Sequence, residues 1–120
     1  MQDFSDQIIA IRSRVNEARG YLRIDELEMR QPQLEAEASR PDLWDDQEKA
    51  RKVTSELARV NEDLELYSRL SGDADDAATL HEMAREEDDE SLELEIAEAL
   101  GALETQLEEL EMRALFTGEF

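Results

Sequence analysis

Apolar residues recur every three or four positions along most of this 120-residue chain. Such spacing places them on one face of an α-helix, which turns once every 3.6 residues. The first stripe begins near the N-terminus, and Gly20 interrupts it without breaking the spacing. Its members are Phe4, Ile8, Ile11, Val15, Ala18 and Leu22. We therefore predict a long helix at the start of the chain.

A second stripe, shifted in phase, follows the first. Its members are Leu27, Leu34 and Ala38. Asp25 is a candidate N-cap for a new helix or marks a kink, so the first segment is either one bent helix or two. Pro32 is expected to bend this stretch or to end its first turn. The segment ends at Arg40-Pro41, because a proline disfavours the helical conformation of the residue before it.

The most regular stripe follows the acidic run Asp45-Asp46-Gln47-Glu48. Within that run, Asp45 and Glu48 have the spacing of a capping box, in which an acidic N-cap and a glutamate three places later satisfy free backbone N–H groups. The stripe comprises Ala50, Val53, Leu57, Val60, Leu64 and Tyr67. We expect the sequence SGDADD, from Ser71, to end this helix, with Gly72 just beyond its last turn.

Two further helices are predicted in the remainder of the chain. A short one has the apolar face Ala77, Leu80, Met83 and Ala84. The acidic sequence EEDDES (86–91) then restarts the chain and places carboxylates where the next helix dipole is positive. The last helix ends near Gly118, and its stripe is Leu92, Ile96, Leu100, Leu103, Leu107, Leu110 and Ala114.

Three long amphipathic helices, the first kinked or split, and one short helix predict an all-α fold. Tight turns between them favour an antiparallel helical bundle or a long hairpin, within one domain covering residues 1–120. The low content of glycine and proline, four and two residues, agrees with a helical chain. A dimeric coiled coil is the alternative. Because each stripe lasts only two to three heptads before a turn signal, packing within one chain is favoured.

Charge is strongly negative and unevenly distributed. The net charge is −20, and residues 70–120, with 17 acids and 2 bases, carry −15 of it. Such a surface repels phosphate, so we expect no direct nucleic-acid site in this acidic half and favour basic protein partners. The absence of cysteine excludes disulfides and suits a cytoplasmic protein. No apolar run could span a membrane, and MQDFSDQ lacks the features of a signal peptide.

Two motifs approach metal-binding sequences without completing them. In HEMAR (81–85), Arg85 stands where a zinc helix would place its second histidine, and His81 is the only histidine. We expect His81 to be a surface or half-buried side chain. The sequence 73–84 begins like a calcium loop, but Ala78 and Ala84 replace the required glycine and glutamate.

No catalytic residue, metal ligand or cofactor-binding residue is predicted, and no cofactor is expected. The run EEDDE (86–90) is interpreted as a solvated helix start, although it could gather loosely bound cations. Carboxylate pairs carry no signal in a chain with 33 acidic residues.

Leu43 and Trp44 fall in the short connection before the most regular helix, and Trp44 is the only tryptophan. The favoured interpretation is structural, with Trp44 folding back as a plug over the end of the bundle. The alternative is an exposed aromatic that anchors a partner.

The stretch PDLWDD (41–46), followed by ARK (50–52), is similar to the N-terminal region of the bacterial release factor 2 family, a group of class I peptide chain release factors. Three more matches keep that family's order: RGYL (19–22), EEDDES (86–91) and LEMRALFTGEF (110–120). The sister family, release factor 1, generally lacks the Pro-Asp-Leu-Trp turn. The resemblance covers nearly the whole chain.

The resemblance implies a helical N-terminal domain that docks on the ribosome, at the stalk base near protein L11, and that modulates interplay with the GTPase release factor 3. The family reads UGA and UAA with a Ser-Pro-Phe tripeptide and promotes hydrolysis of peptidyl-tRNA with a Gly-Gly-Gln loop. Neither string occurs here. The domain is therefore expected to be no enzyme and to end near the start of the codon-recognition domain. The alternative, without the resemblance, is a standalone acidic helical or coiled-coil interaction protein, chaperone-like or a nucleic-acid mimic.

Overall fold

A computed structural model describes all residues 1–120, which form four α-helices and no strand. The helices are α1 (Ser5–Tyr21), α2 (Ile24–Ala38), α3 (Gln47–Glu87) and α4 (Glu93–Thr117). Short 3₁₀ turns, Leu43–Asp45 and Glu90–Leu92, precede α3 and α4. The predicted all-α class is confirmed. None of the helices combines the length and the apolar composition needed to cross a bilayer.

Helix α3 is one continuous helix of 41 residues, so the prediction of two helices separated at Ser71 was wrong. Ser71 and Gly72 lie inside it. A glycine inside a helix costs only about 1 kcal/mol relative to alanine, and the buried stripe continues through this region without interruption. That stripe is Leu70, Ala74, Ala77, His81 and Ala84. At 1.5 Å per residue the helix is about 60 Å long, nearly the full 63 Å length of the molecule.

The first segment forms two helices, α1 and α2, which resolves the choice that the sequence left open. Arg23 joins them in the left-handed conformation (φ 56°, ψ 45°), and its N–H donates to the carbonyl of Gly20 at 3.0 Å. Asp25 is not an N-cap but lies in the first turn of α2. Pro32 lies inside α2, which continues to Ala38, so the proline does not end the helix.

The other helices pack on two different halves of α3. Helices α1 and α4 run parallel to each other and antiparallel to the C-terminal half of α3, where the three share the larger core. The pairs Gln7–Glu104 and Arg14–Glu111 tie α1 to α4. Helix α2 packs alone on the N-terminal half of α3, around a smaller core. The molecule is therefore a three-helix bundle at one end and a two-helix hairpin at the other.

The ends of α3 and α4 share one backbone motif. Asp88 (φ 49°) and Gly118 (φ 74°) adopt the left-handed conformation directly after each helix. The next N–H then donates back to a carbonyl of the last turn, from Asp89 to Ala84 and from Glu119 to Ala114, both at 2.9 Å. This arrangement satisfies carbonyls that the helix leaves free. The predicted helix end near Gly118 is confirmed, whereas the predicted acidic turn at 86–91 begins two residues later, because Glu86 and Glu87 belong to α3.

Candidate functional surfaces

The turn between α2 and α3 buries Leu43 and exposes Trp44. Leu43 is 5% exposed and belongs to the smaller core, whereas Trp44 is 62% exposed. The prediction that Trp44 plugs the bundle was therefore wrong, because Leu43 fills that place. A 3₁₀ turn rotates successive side chains by about 120°, so adjacent residues cannot both face the core. Trp44 is left as an exposed aromatic at the hairpin end.

Asp46 fixes the start of α3. Its side chain accepts a hydrogen bond from the backbone N–H of Lys49 at 3.1 Å, and its backbone is extended (φ −118°, ψ 99°). This is N-cap geometry. The predicted capping box of Asp45 and Glu48 was therefore wrong, because the N-cap is Asp46, one residue later, and Lys49 stands three places after it.

Basic side chains without an acidic partner concentrate on the first turns of α3. Eight of the 13 lysines and arginines lie within 4.0 Å of a carboxylate oxygen. The other five are Lys49, Arg51, Lys52, Arg59 and Arg69. Four of these five fall within residues 49–59, a segment that contains one acid, Glu56. We call Arg51, Lys52 and Arg59, all exposed, the basic face.

In the three-helix part, by contrast, ion pairs occupy every arginine except Arg69. Arg14 donates to both carboxylate oxygens of Glu111, at 2.9 and 2.6 Å, and this pairing raises the pKa of Arg14. Closer to the hairpin, Arg30 donates in the same way to Glu56, at 2.7 and 3.0 Å, and lowers the pKa of that carboxyl. Arg12 pairs with Asp75. Most of the charged groups that remain unpaired in this part are therefore carboxylates.

His81 has a structural role in the buried stripe of α3. It is 5% exposed, so the expectation of a surface or half-buried histidine was wrong. Its Nε2 accepts a hydrogen bond from the backbone N–H of Phe4 at 3.2 Å, and its ring meets the Phe4 ring edge-on at 5.8 Å. No three side chains of the metal-ligating types come together anywhere in the chain.

The C-terminal end of α4 carries an exposed apolar patch. Leu115 and Phe116 are 62% and 85% exposed, and Met112 lies one turn earlier on the same side. Phe120 stacks on Tyr21, with 5.1 Å between ring centroids. Patches of this kind often mark surfaces that contact other proteins or domains.

Beside this patch, a cleft of about 670 Å³ lies along α2 and α3, beyond the end of α4. Polar and charged side chains form most of its wall, including Arg30, Glu56 and Asp63. Burial raises the pKa of Asp63, Glu119 and Glu62 raise it further, and Arg113, 3.8 Å away, opposes the shift. The cleft lacks the mostly apolar lining that is typical of small-molecule sites.

Comparison with known proteins identifies the family to which the chain belongs. Residues 27–119 match the PCRF domain. Proteins named "Peptide chain release factor 2" from Streptomyces avermitilis and Salinispora arenicola are each 36% identical over 118 residues, and that from Mycobacterium avium is 39% identical over 121 aligned positions. Each alignment covers 98% of this chain but only 32% of the relative.

The chain belongs to the PCRF domain family, since the match covers more than three quarters of its residues. It spans about a third of the length of the curated relatives it matches. The resemblance to release factor 2 drawn from the four sequence motifs is thereby confirmed. Those motifs lie at the end of α1, in the α2–α3 turn, in the α3–α4 turn and at the end of α4.

Proposed function

We propose that this chain is the ribosome-docking domain of a translation termination factor acting at UGA and UAA codons. The observation that carries the proposal is the PCRF match over residues 27–119, together with relatives named peptide chain release factor 2. The domain comprises residues 1–120 and works in the cytoplasm. It holds the factor at the stalk base of the large ribosomal subunit, near protein L11, and modulates interplay with the GTPase release factor.

The charge distribution supports a binding role on a ribosome. Residues 70–120 carry a net charge of −15, and the arginines packed against them are already paired. An acidic surface of this kind attracts basic proteins and speeds their association. Ribosomal proteins are the basic partners that a termination factor meets.

The domain itself neither reads codons nor promotes hydrolysis in this proposal. Its sequence lacks the Ser-Pro-Phe and Gly-Gly-Gln strings. The domain contributes by positioning the factor. Binding energy from a remote domain lengthens the time for which the reacting parts of a factor stay bound in place.

The test is direct binding of the fluorescently labelled 120-residue chain to isolated ribosomal subunits. We expect saturable binding to large subunits, weaker binding to small subunits, and a large loss on large subunits stripped of L11. Equal affinity for both subunits would contradict the proposal, and undiminished binding without L11 would contradict the stalk-base assignment. Dissociation rates measured with and without the GTPase release factor test the proposed interplay, which predicts a difference.

A further inference from the structure

A groove of about 290 Å³ runs along the seam between α3 and α4. Five apolar side chains line it, and they range from buried to exposed: Ala77, Leu103, Leu80, Ala99 and Ala102. Three of the five are alanines, whose short side chains leave the seam open. The groove therefore presents apolar surface to solvent.

Helix α1 packs on the other side of this seam. On α4, Glu104 and Glu111 accept hydrogen bonds from side chains of α1. At about 100° per residue, Ala99, Ala102 and Gln106 fall on the opposite side of the buried stripe of α4. The groove is therefore on the free side of the α3–α4 pair, and only these two helices contribute to its wall.

All the charged side chains that line the groove are acidic. Asp73 and Asp76 extend from α3 and Glu95 from α4, and none of the three takes part in an ion pair. Residues 70–112 contain a single base, Arg85, which is paired beside the start of α1. Carboxylates that lack an internal partner retain their attraction for an external cation.

The groove has a defined length. Its lining on α4 runs from Glu95 to Gln106, which is about 16 Å at 1.5 Å per residue, or about three helical turns. Toward the hairpin, Arg69 is exposed one turn before Asp73 on the same side of α3 and ends the acidic stretch. A partner segment of about three turns would therefore fill the groove.

The occupant that suits this groove is a helix with an apolar stripe flanked by lysine or arginine. Apolar residues at helical spacing fit a groove of this form, while the stems of lysine and arginine cover apolar walls and their charged ends reach the carboxylates. A helix also satisfies its own backbone groups, whereas the sides of α3 and α4 offer an extended peptide no free N–H or C=O. Nucleic acid is disfavoured, because the acidic rim repels phosphate.

We propose that the groove between α3 and α4 binds a basic amphipathic helix of a protein partner. Asp73, Asp76 and Glu95 pair with its lysines or arginines, and the apolar lining receives its apolar stripe. The inference rests on the proposed function, which brings the chain to the basic proteins of a ribosome, and it assigns the face by which the chain meets them. Acids elsewhere on the chain then contribute only through long-range attraction.

The experiment uses the 120-residue chain and two fluorescein-labelled peptides of about 18 residues, long enough to form a helix in water. One has leucines at every third or fourth position among lysines, and the other has the same composition shuffled so that its leucines share no face. Anisotropy is measured at about 0.15 M salt, where charges more than about 8 Å apart are screened. The amphipathic peptide should bind at least about tenfold more tightly, and equal affinities would overturn the proposal.

Charge substitutions distinguish the groove from the acidic surface as a whole. The groove variant combines three neutral substitutions: Asp73→Asn, Asp76→Asn and Glu95→Gln. The control variant removes as many charges from exposed, unpaired carboxylates outside the groove: Glu82→Gln, Glu86→Gln and Glu108→Gln. The groove variant should lose about tenfold in affinity for the amphipathic peptide and the control less than about threefold. Equal losses would overturn the proposal, and melting temperatures no lower than that of the wild type confirm that both variants are folded.

A neutral substitution tests the apolar lining. Ala102 is exposed at the edge of the groove, and glutamine is a good helix former, so Ala102→Gln adds a polar side chain there without changing the charge. The affinity for the amphipathic peptide should fall at least about threefold, the loss of roughly 30 Å² of apolar contact. Ala97→Gln is the control, at an exposed alanine of α4 outside the groove. The same affinity for both variants would contradict the apolar contact and overturn the proposal.

The two proposals can fail separately. If the wild-type chain prefers large subunits but the groove and control variants lose that binding equally, the groove assignment is wrong and the docking function stands. If the groove variant alone loses the amphipathic peptide but the wild-type chain shows no preference for large subunits, the docking function is wrong and the groove stands as a site for basic helices.

Discussion

The backbone N–H of Phe4 donates a hydrogen bond to Nε2 of His81, 77 residues later in the chain, across 3.2 Å. The contact joins the N-terminus of α1 to the buried stripe of α3 and supplies an acceptor to a buried donor at a helix start. The only histidine of the chain is therefore part of the three-helix core.

Replacing His81 should loosen the N-terminus of α1. His81→Leu leaves the Phe4 N–H buried without an acceptor, which costs about 1–3 kcal/mol of unfolding free energy. His81→Gln retains a side-chain acceptor and should lose less. Urea unfolding followed by circular dichroism measures both, and equal stability of His81→Leu and wild type would contradict the role of this hydrogen bond.

Leu43 and Trp44 should respond oppositely to truncation. Leu43→Ala removes a buried side chain from the smaller core and should cost about 2–4 kcal/mol. Trp44→Ala removes a mostly exposed one and should change the unfolding free energy by less than about 1 kcal/mol. The same denaturant titration compares them. A larger loss for Trp44→Ala would restore the plug interpretation.

Asp63 should destabilise the fold while it is ionised. Its pKa in the folded chain is raised above 3.8, chiefly by burial, so the folded state holds a proton more tightly than the unfolded state. Stability attributable to this group is gained as pH falls through the folded pKa and is complete below 3.8. Asp63→Asn should therefore raise the melting temperature at pH 7, and the difference should shrink as pH falls toward 3.8.

The measurement that checks this is a pair of melting curves, one for the wild type and one for Asp63→Asn, recorded at each pH. A lower melting temperature for Asp63→Asn at pH 7 would mean that the 3.8 Å contact with Arg113 outweighs the cost of burial. In that case the variant Arg113→Gln should be destabilised to a similar extent.

Salt should stabilise the isolated chain. With 33 acids and 13 bases, the folded state repels itself, and raising ionic strength from 0.01 to 0.1 M shortens the screening length from about 30 to about 10 Å. The melting temperature should rise over this interval. The double variant Glu108→Gln and Glu109→Gln, which removes two charges from the acidic half, should show a smaller rise. A flat or falling curve for the wild type would contradict the effect.

Helix type and position were predictable where a stripe of apolar residues was regular. The stripes from Phe4 and from Leu92 gave α1 and α4, since periodicity marks the buried face directly. The continuity of α3 through Ser71-Gly72 was not predictable from local signals. Predicting a continuous helix requires knowing that α1 and α4 both cover α3 at this point. Burial of Leu70 and Ala74 there outweighs the weak helix propensity of one glycine.

The phase of a stripe was harder to assign where small residues form it. In residues 77–84 the sequence favoured Leu80 and Met83, but the structure buries His81 between Ala77 and Ala84. Alanines allow close helix packing and leave room for the imidazole. The choice between Leu43 and Trp44 likewise depends on the rotation of a three-residue turn, which no periodic pattern reports. The basic face depends on which arginines find partners across helices, and that is a tertiary property.

The most direct test of the central claim is competition on the ribosome. Ribosomes carrying peptidyl-tRNA and a UGA codon receive a limiting amount of a complete release factor 2, and peptide release is timed as the 120-residue chain is added. A docking domain should slow release at limiting factor, have no effect at saturating factor, and release no peptide alone. Unchanged release at chain concentrations that saturate large subunits would show that this chain and the complete factor do not share a site, and the docking function would be wrong.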